Sequence, residues 1–194
     1  MTAHLHRRPA LSTKAVPVNA SDFPPPASPP APGYVPGELF RRVMGSVCTP
    51  VSVVTTFSQG RPHGTTVSAF SALSLEPPMV LVALDRNSTL LSLLQQKRRF
   101  GLNVLGADQG ELAIRFAGKG ADKFAGVPWQ VDTGLPRLQG VTGWLACEVT
   151  RFVDGGDHLV VMGRVVAASS RDGAPLTYHR REFGTHAVLE ERSA

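Results

Sequence analysis

Beyond residue 36, short apolar runs follow segments in which apolar and polar residues alternate, and this pattern predicts a fold built mainly from strands. One run, Met79–Leu84, is continuously apolar, which is typical of a strand covered on both faces. The turn Asp154–Asp157 joins two alternating segments into a long hairpin, and Ser58–Pro62 forms a shorter one. The predicted strands are Val51–Phe57, the segment after Pro62, Met79–Leu84, Phe100–Leu105, Gly143–Val153 and His158–Ala167.

Helical spacing of apolar residues occurs in short segments between the strands. Gly37–Gly45, Ser88–Lys97 and Asp108–Phe116 have this spacing. Ser88 and Asp108 are the candidate N-caps, and Gly118 follows the third helix. The polar, Gly-rich stretch from Lys119 to Gly140 is predicted as a long irregular loop, a candidate lid or substrate loop.

Residues 1–36 differ from the rest of the chain. Phe23–Gly33 is a proline tract that cannot donate to a helix or a sheet ladder, so we predict a disordered or polyproline-like arm over 1–36 and one domain over 37–194. A Pro-rich ligand for a partner domain is an alternative interpretation of this arm.

Composition excludes several classes of protein. The 194 residues carry a net charge of +5, but the basic residues are scattered and do not form the stripe of a nucleic-acid-binding protein. The two cysteines, Cys48 and Cys147, are far apart, which favours buried thiols in a reducing cytoplasm over a disulfide framework or a zinc site. No segment has the length of a membrane span or the pattern of a secretory signal, so we expect a cytoplasmic protein.

The segment Gly64–Pro78 holds the most informative polar residues. Five hydroxyl side chains lie between two strand-like runs: Thr65, Thr66, Ser68, Ser71 and Ser74. Hydroxyls and backbone N–H groups at a strand-to-loop turn suit an anionic group such as a cofactor phosphate. The alternative is a half-exposed strand that tolerates Ser and Thr. Neither glycine-rich phosphate motif of the parallel βα folds is present, so an antiparallel barrel is favoured over a doubly wound sheet.

Two further places carry candidate binding residues. Asp85, Arg86 and Ser88 stand where a strand gives way to a helix, and a helix N-terminus beside an arginine suits an anion. Ser88 as a plain N-cap and Arg86 as a solvated residue are the alternative. Asn103 is a polar residue inside an apolar strand, and its partners are either a cofactor or neighbouring backbone.

Seven motifs in one order carry a resemblance to a known family. They are Phe40–Gly45, Val51–Thr56, Gly64–Pro78, Phe100–Leu105, Gly156–His158, Gly163–Val165 and Pro175–Arg180. Together they resemble the flavin reductase-like family, the small reductase components of two-component flavin monooxygenases, over about Leu39 to Phe183. The resemblance implies a mainly β fold with short helices, a split β-barrel of the antiparallel Greek-key type. It also implies a homodimer that uses NADH or NADPH to reduce FMN or FAD for a separate oxygenase.

The same resemblance implies roles for individual residues. The flavin phosphate and ribityl chain would be held by Thr65, Thr66, Val67, Ser68, Ala69, Phe70, Ser71 and Ser74, with Asp85, Arg86, Ser88 and Asn103 across the pocket. His158 would lie close to the nicotinamide or flavin ring, where it positions the substrate or bonds to its amide. Tyr178, His179 and Arg180 would close the pocket or contact the nicotinamide nucleotide, and this match is the loosest. A plain exposed turn is the alternative for His158.

Other functions remain open at this point. A non-catalytic flavin or haem carrier, or an enzyme like pyridoxamine-phosphate oxidase, would use a related barrel. The second of these predicts a denser basic set than this chain has. An interaction module that acts through the proline arm is the most distant alternative.

Overall fold

The fold is taken from a computed structural model that describes residues 35–120 and 122–188. The chain divides into two units after Phe40, and all the described strands belong to the second unit. The arm predicted over residues 1–36 lies outside the described residues apart from Val35 and Pro36, so it stays a prediction. Within the described ranges, no helix is long and apolar enough to cross a membrane.

Three short helices and twelve strands make up the described chain. The helices are α1 Gly37–Gly45, α2 Thr89–Lys97 and α3 Gly110–Ala117. The strands are β1 Thr49–Pro50, β2 Ser52–Ser58, β3 Arg61–Val67, β4 Phe70–Leu75, β5 Pro78–Asp85, β6 Arg99–Val104, β7 Trp129–Asp132, β8 Leu135–Leu138, β9 Gly143–Gly155, β10 His158–Ser170, β11 Thr177–His179 and β12 Glu182–Gly184. The mainly β fold with short helices is confirmed, and each predicted strand is present.

All of the strand pairs are antiparallel. Seven strands form the main sheet in the order β3-β2-β6-β9-β10-β5-β4, while β1-β11-β12 and β7-β8 form two smaller sheets. The strands β9 and β10 make the long hairpin that the alternation of their residues predicts.

The two edges of the main sheet are forced together at one corner. Its edge strands, β3 and β4, are consecutive in the chain and only Ser68 and Ala69 separate them. Three trans peptide steps span at most about 11 Å, so the sheet must curve until its edges approach each other. The two strands do not pair, which leaves an open seam as expected for a split barrel. The candidate site lies at this seam.

Two hydrophobic clusters cover opposite faces of the sheet. One contains Leu90, Leu91 and Leu94 of α2, and the other contains Phe116 of α3 and Trp144 of β9. The β2 strand contributes neighbouring valines to both clusters, Val54 to the first and Val53 to the second. Burial of each such side chain contributes about 1.5–3 kcal/mol, so this strand is central to the stability of the fold.

The predictions of a doubly covered β5 and of Asp108 as the cap of α3 are wrong. Met79–Leu84 is not covered equally on both faces: Val80, Val82 and Leu84 are buried, while the residues between them are half-exposed. An antiparallel sheet commonly buries one face more than the other, which explains this alternation. Asp108 does not cap α3, because the helix begins later and Gln109 holds the N-cap position.

The stretch from Lys119 to Gly140 is not irregular throughout, because it contains the β7–β8 hairpin. Leu135 and Leu138 of β8 are buried in the second cluster. The hairpin is fixed to the main sheet by Thr55, whose hydroxyl donates to the Pro136 carbonyl at 2.6 Å. This segment therefore contributes buried side chains to the second cluster.

Candidate functional site

A pocket of about 270 Å³ opens at the seam of the main sheet. It is bounded by the end of β3, the β3–β4 corner, the end of β5, the start of α2 and the start of β10. Its lining residues are Thr65, Thr66, Val67, Ser68, Ala69, Ala83, Leu84, Asp85, Ser88 and His158. Eight of these ten are among the site residues predicted from the sequence, and they come from segments more than 90 residues apart in the chain.

The β3–β4 corner provides small, exposed polar groups. Ser68 and Ala69 connect the two strands and are both exposed. The Ala83 N–H donates to the Ala69 carbonyl at 2.8 Å, which fixes the corner to β5. The corner is thus held in place while the Ser68 side chain stays accessible to a ligand.

Thr66 lines the pocket, but its hydroxyl has another partner. Its Oγ1 donates to the Ala113 carbonyl of α3 at 2.7 Å. Close packing of α3 on β3 is possible because Gly64 has no side chain: a Cβ there would lie 2.8 Å from a ring carbon of Phe116. The Thr66 hydroxyl therefore attaches the pocket wall to α3, and the candidate ligand hydroxyls of this wall are those of Thr65 and Ser68.

The N-terminus of α2 faces this pocket. Ser88 occupies the N-cap position with extended backbone angles, yet its side chain makes no capping hydrogen bond. Its hydroxyl and the N–H groups of the first helical turn lack intrahelical partners. Together with the positive end of the helix dipole, they favour an anionic group. This observation fits the phosphate of a nucleotide-like cofactor.

Arg86 does not line the pocket, although it stands two residues before Ser88. Its Nε donates to the Gly156 carbonyl at 2.7 Å and its Nη2 to Asp154 at 2.6 Å. Its backbone N–H donates to the Asp157 carbonyl at 3.0 Å. Arg86 therefore attaches the β9–β10 turn to the end of β5.

His158 stands at the start of β10, opposite Asp85 in the register. Its Nδ1 lies 2.8 Å from Oδ1 of Asp157, and 41% of its side chain is exposed. The hydrogen bond from His158 holds the pKa of Asp157 below its usual range, and the charge of Arg86 acts in the same direction. Asp157 is thus a carboxylate at neutral pH.

The structure does not bring Asn103 to the pocket. Its side chain is fully buried and donates to the Val53 carbonyl at 3.1 Å and to the Thr55 hydroxyl at 3.2 Å. Its Oδ1 accepts from the Leu138 N–H at 2.8 Å. The partners of Asn103 are thus neighbouring backbone and side-chain groups, which agrees with the second of the two interpretations.

Five other predicted residues also lie outside the pocket lining. On β4, Phe70 packs against the first cluster, the Ser71 hydroxyl donates to the Ala72 carbonyl at 3.0 Å, and Ser74 lies beyond the irregularity in the ladder. Tyr178 belongs to the three-stranded sheet, where it contacts the ring of Phe183. Arg180 stands in the β11–β12 turn, and its N–H donates to the Gly45 carbonyl at 3.0 Å.

Three residues at the site are absent from the sequence-based prediction. Ala83 and Leu84 line the pocket through the end of β5, and only the pairing of β5 with β10 brings them there. Asp157 contacts His158 directly. The motif Gly156–His158 contains this residue, and the motif is the signal that the sequence offers.

These features define a class of protein: a small antiparallel β protein with a hydroxyl-lined pocket suited to an anionic organic cofactor. Residues 44–187 match the family model described as a flavin reductase like domain, and the chain belongs to this family. It is 40% identical over 145 residues to the reductase component of a 4-nitrophenol 4-monooxygenase/4-nitrocatechol 2-monooxygenase of Rhodococcus opacus, which covers 75% of this chain and 78% of that protein.

Two solved structures are also similar to this chain. Nitrilotriacetate monooxygenase component B from Mycobacterium thermoresistibile superposes with a TM-score of 0.75 at 34% identity, covering 81% of this chain and 93% of the other. An NADH:FAD oxidoreductase of Streptomyces globisporus C-1027, in complex with NAD and FAD fragments, has a TM-score of 0.76 at 30% identity and covers 80% and 95%.

Proposed function

We propose that this protein is a nicotinamide-dependent flavin reductase that supplies reduced flavin to a separate monooxygenase. The observation that carries the proposal is the meeting of the β3–β4 corner, the N-terminus of α2 and His158 around one pocket. Its family membership and the names of its relatives, such as the reductase component from Rhodococcus opacus, support it.

The residues of the pocket fit a flavin nucleotide. The hydroxyls of Thr65, Ser68 and Ser88 and the N–H groups at the start of α2 would hold its phosphate. When bound, the flavin supplies the redox chemistry by accepting a hydride from the reduced nicotinamide. His158 would orient the nicotinamide, and positioning would be the main contribution of the protein to the rate.

NADH and FAD are the pair to test first, because the structural relative from Streptomyces globisporus is an NADH:FAD oxidoreductase. Anaerobic stopped-flow mixing of the protein and flavin with NADH should bleach the visible absorption band of the flavin. Parallel runs with NADPH and with FMN would rank the substrates. Absence of bleaching with every combination would refute the proposal.

We also infer a homodimer, and α1 is the observation that supports it. The apolar residues Leu39, Phe40, Val43 and Met44 of this amphipathic helix are all exposed, and none of its residues is buried. A face of this kind is typical of an interaction surface. Light scattering after size exclusion should give a dimer for the wild type and a monomer for Val43→Asp, while Arg41→Asp on the polar face stays dimeric. A monomeric wild type would contradict the inference.

A further inference from the structure

One residue, Arg86, fixes the backbone that carries His158. Through three hydrogen bonds it joins the end of β5 to Asp154, Gly156 and Asp157 of the β9–β10 turn. The His158 backbone also pairs with Asp85 in the ladder between β5 and β10. The main chain on both sides of the imidazole is therefore held, and the orientation of the ring depends on its side-chain partners.

Among the residues that the structure describes, one carboxylate is bonded to the imidazole. Asp154 is engaged by Arg86 at 2.6 Å, and Oδ1 of Asp85 accepts from the Asn87 N–H at 2.6 Å. Oδ1 of Asp157 lies 2.8 Å from Nδ1 of His158. Because an ionised carboxylate only accepts hydrogen bonds, Nδ1 must carry the proton in this contact.

The position of that proton decides what the other ring nitrogen can do. A neutral imidazole with its proton on Nδ1 has an unprotonated Nε2, which is an acceptor. His158 lines the pocket and its Nδ1 is occupied, so Nε2 is the nitrogen left for a ligand. A ligand group that binds there must donate a hydrogen bond.

We propose that Asp157 is a positioning residue that holds His158 in the Nδ1–H tautomer, so that Nε2 accepts a hydrogen bond from the carboxamide NH₂ of the reduced nicotinamide. The inference rests on the proposed function, because the reduced nicotinamide is the hydride donor of that reaction. Asp157 itself does not touch the substrate. It acts through His158 alone.

The tautomer can be measured without turnover. Two-dimensional ¹⁵N–¹H spectra of the labelled full chain, recorded in alkaline buffer where an ordinary imidazole is neutral, show which ring nitrogen carries the proton. The signal of His158 among the six histidines is assigned by its loss in His158→Gln. We expect Nδ1–H in the wild type and in Asp157→Asn, whose amide oxygen also accepts, and mainly Nε2–H in Asp157→Ala. A wild-type ring protonated on Nε2 overturns the proposal.

The hydrogen bond to the substrate is tested with a donor that lacks the amide. Reduced 3-acetylpyridine adenine dinucleotide has a methyl ketone in place of the carboxamide, so it has no NH₂ to donate. The ratio of kcat/KM for NADH over this analogue should fall roughly three- to tenfold in Asp157→Ala and in His158→Ala. Intrinsic differences in reactivity between the two donors cancel when the ratios are compared.

Two controls separate this role from a merely structural one. Asp154→Asn removes a charge from the same turn but leaves the partner of Nδ1, so it should keep the wild-type ratio and tautomer. Asp157→Ala should have no further effect on the ratio when His158 is already alanine. With 89% of the Asp157 side chain exposed, its loss should not unfold the protein.

The outcomes distinguish a failure of the role of Asp157 from a failure of the proposed function. An unchanged donor ratio in Asp157→Ala, or an equal loss in Asp154→Asn, overturns the role of Asp157. A wild type that oxidises neither donor refutes the proposed function. The spectra still decide on the tautomer in that case.

Discussion

Asn103→Ala distinguishes a structural from a cofactor-binding role for the buried amide of β6. The side chain is fully buried and makes three hydrogen bonds, to the Val53 carbonyl, the Thr55 hydroxyl and the Leu138 N–H. Its removal leaves the Leu138 N–H without this acceptor, which costs about 1–3 kcal/mol for a buried donor. With the truncated volume added, we expect a loss of about 2–4 kcal/mol in the free energy of unfolding.

The assay is urea unfolding followed by tryptophan fluorescence, together with a thermal scan. For a domain of this size the loss corresponds to a fall of roughly 5–15 °C in Tm. Asn87→Ala is the matched control, because Asn87 is exposed and uses only its backbone N–H in the bond to Asp85. Unchanged stability in Asn103→Ala combined with weaker flavin binding would refute the structural assignment.

Two further predictions concern titratable groups. Burial raises the pKa of the Cys147 thiol to about 12, whereas Cys48 is exposed. A thiol reagent should therefore modify only Cys48 in the native protein and both cysteines in denaturant. Rapid modification of Cys147 in the native protein would contradict its buried position. Hydrogen bonds, chiefly from Arg137, hold the pKa of Asp132 below its usual range. The stability from this pair is fully present above about pH 4, near the unfolded pKa, and is lost as the pH falls through the lower folded value. Asp132→Asn should therefore have a lower urea midpoint than the wild type at neutral pH but not in acid, and a constant difference between the two would contradict the assignment.

Much of the sheet could be predicted from the chain because its signals are local. Alternation along β9 and β10 and the Gly-Gly turn between them identify their hairpin without any tertiary information. The β7–β8 hairpin could not be found this way, since Pro136 stands inside β8 and a proline normally argues against a strand. The Thr55 hydroxyl stabilises this hairpin, and its contact with the Pro136 carbonyl spans 81 residues.

The site residues likewise divide into those that local sequence signals predict and those that they do not. Thr65, Ser68 and Ser88 could be predicted because hydroxyls at a strand corner and at a helix N-terminus have a local physical meaning. The partners of Arg86 and Asn103 could not, because each residue had several chemically suitable partners and the three-dimensional packing decides among them. Sequence shows that a buried amide needs partners, but it does not identify them.

The proposed function requires flavin to be reduced in the pocket at the seam between β3 and β4. Anaerobic stopped-flow reduction of flavin by NADH in Ala69→Trp tests this requirement, because the substitution places a large ring at the rim of that pocket. The matched variant is Ala72→Trp, the same change on an exposed residue of β4 outside the lining. We predict a loss of about a hundredfold in the rate for Ala69→Trp and a near wild-type rate for Ala72→Trp. Flavin reduction by Ala69→Trp at the wild-type rate would show that the flavin reacts outside this pocket.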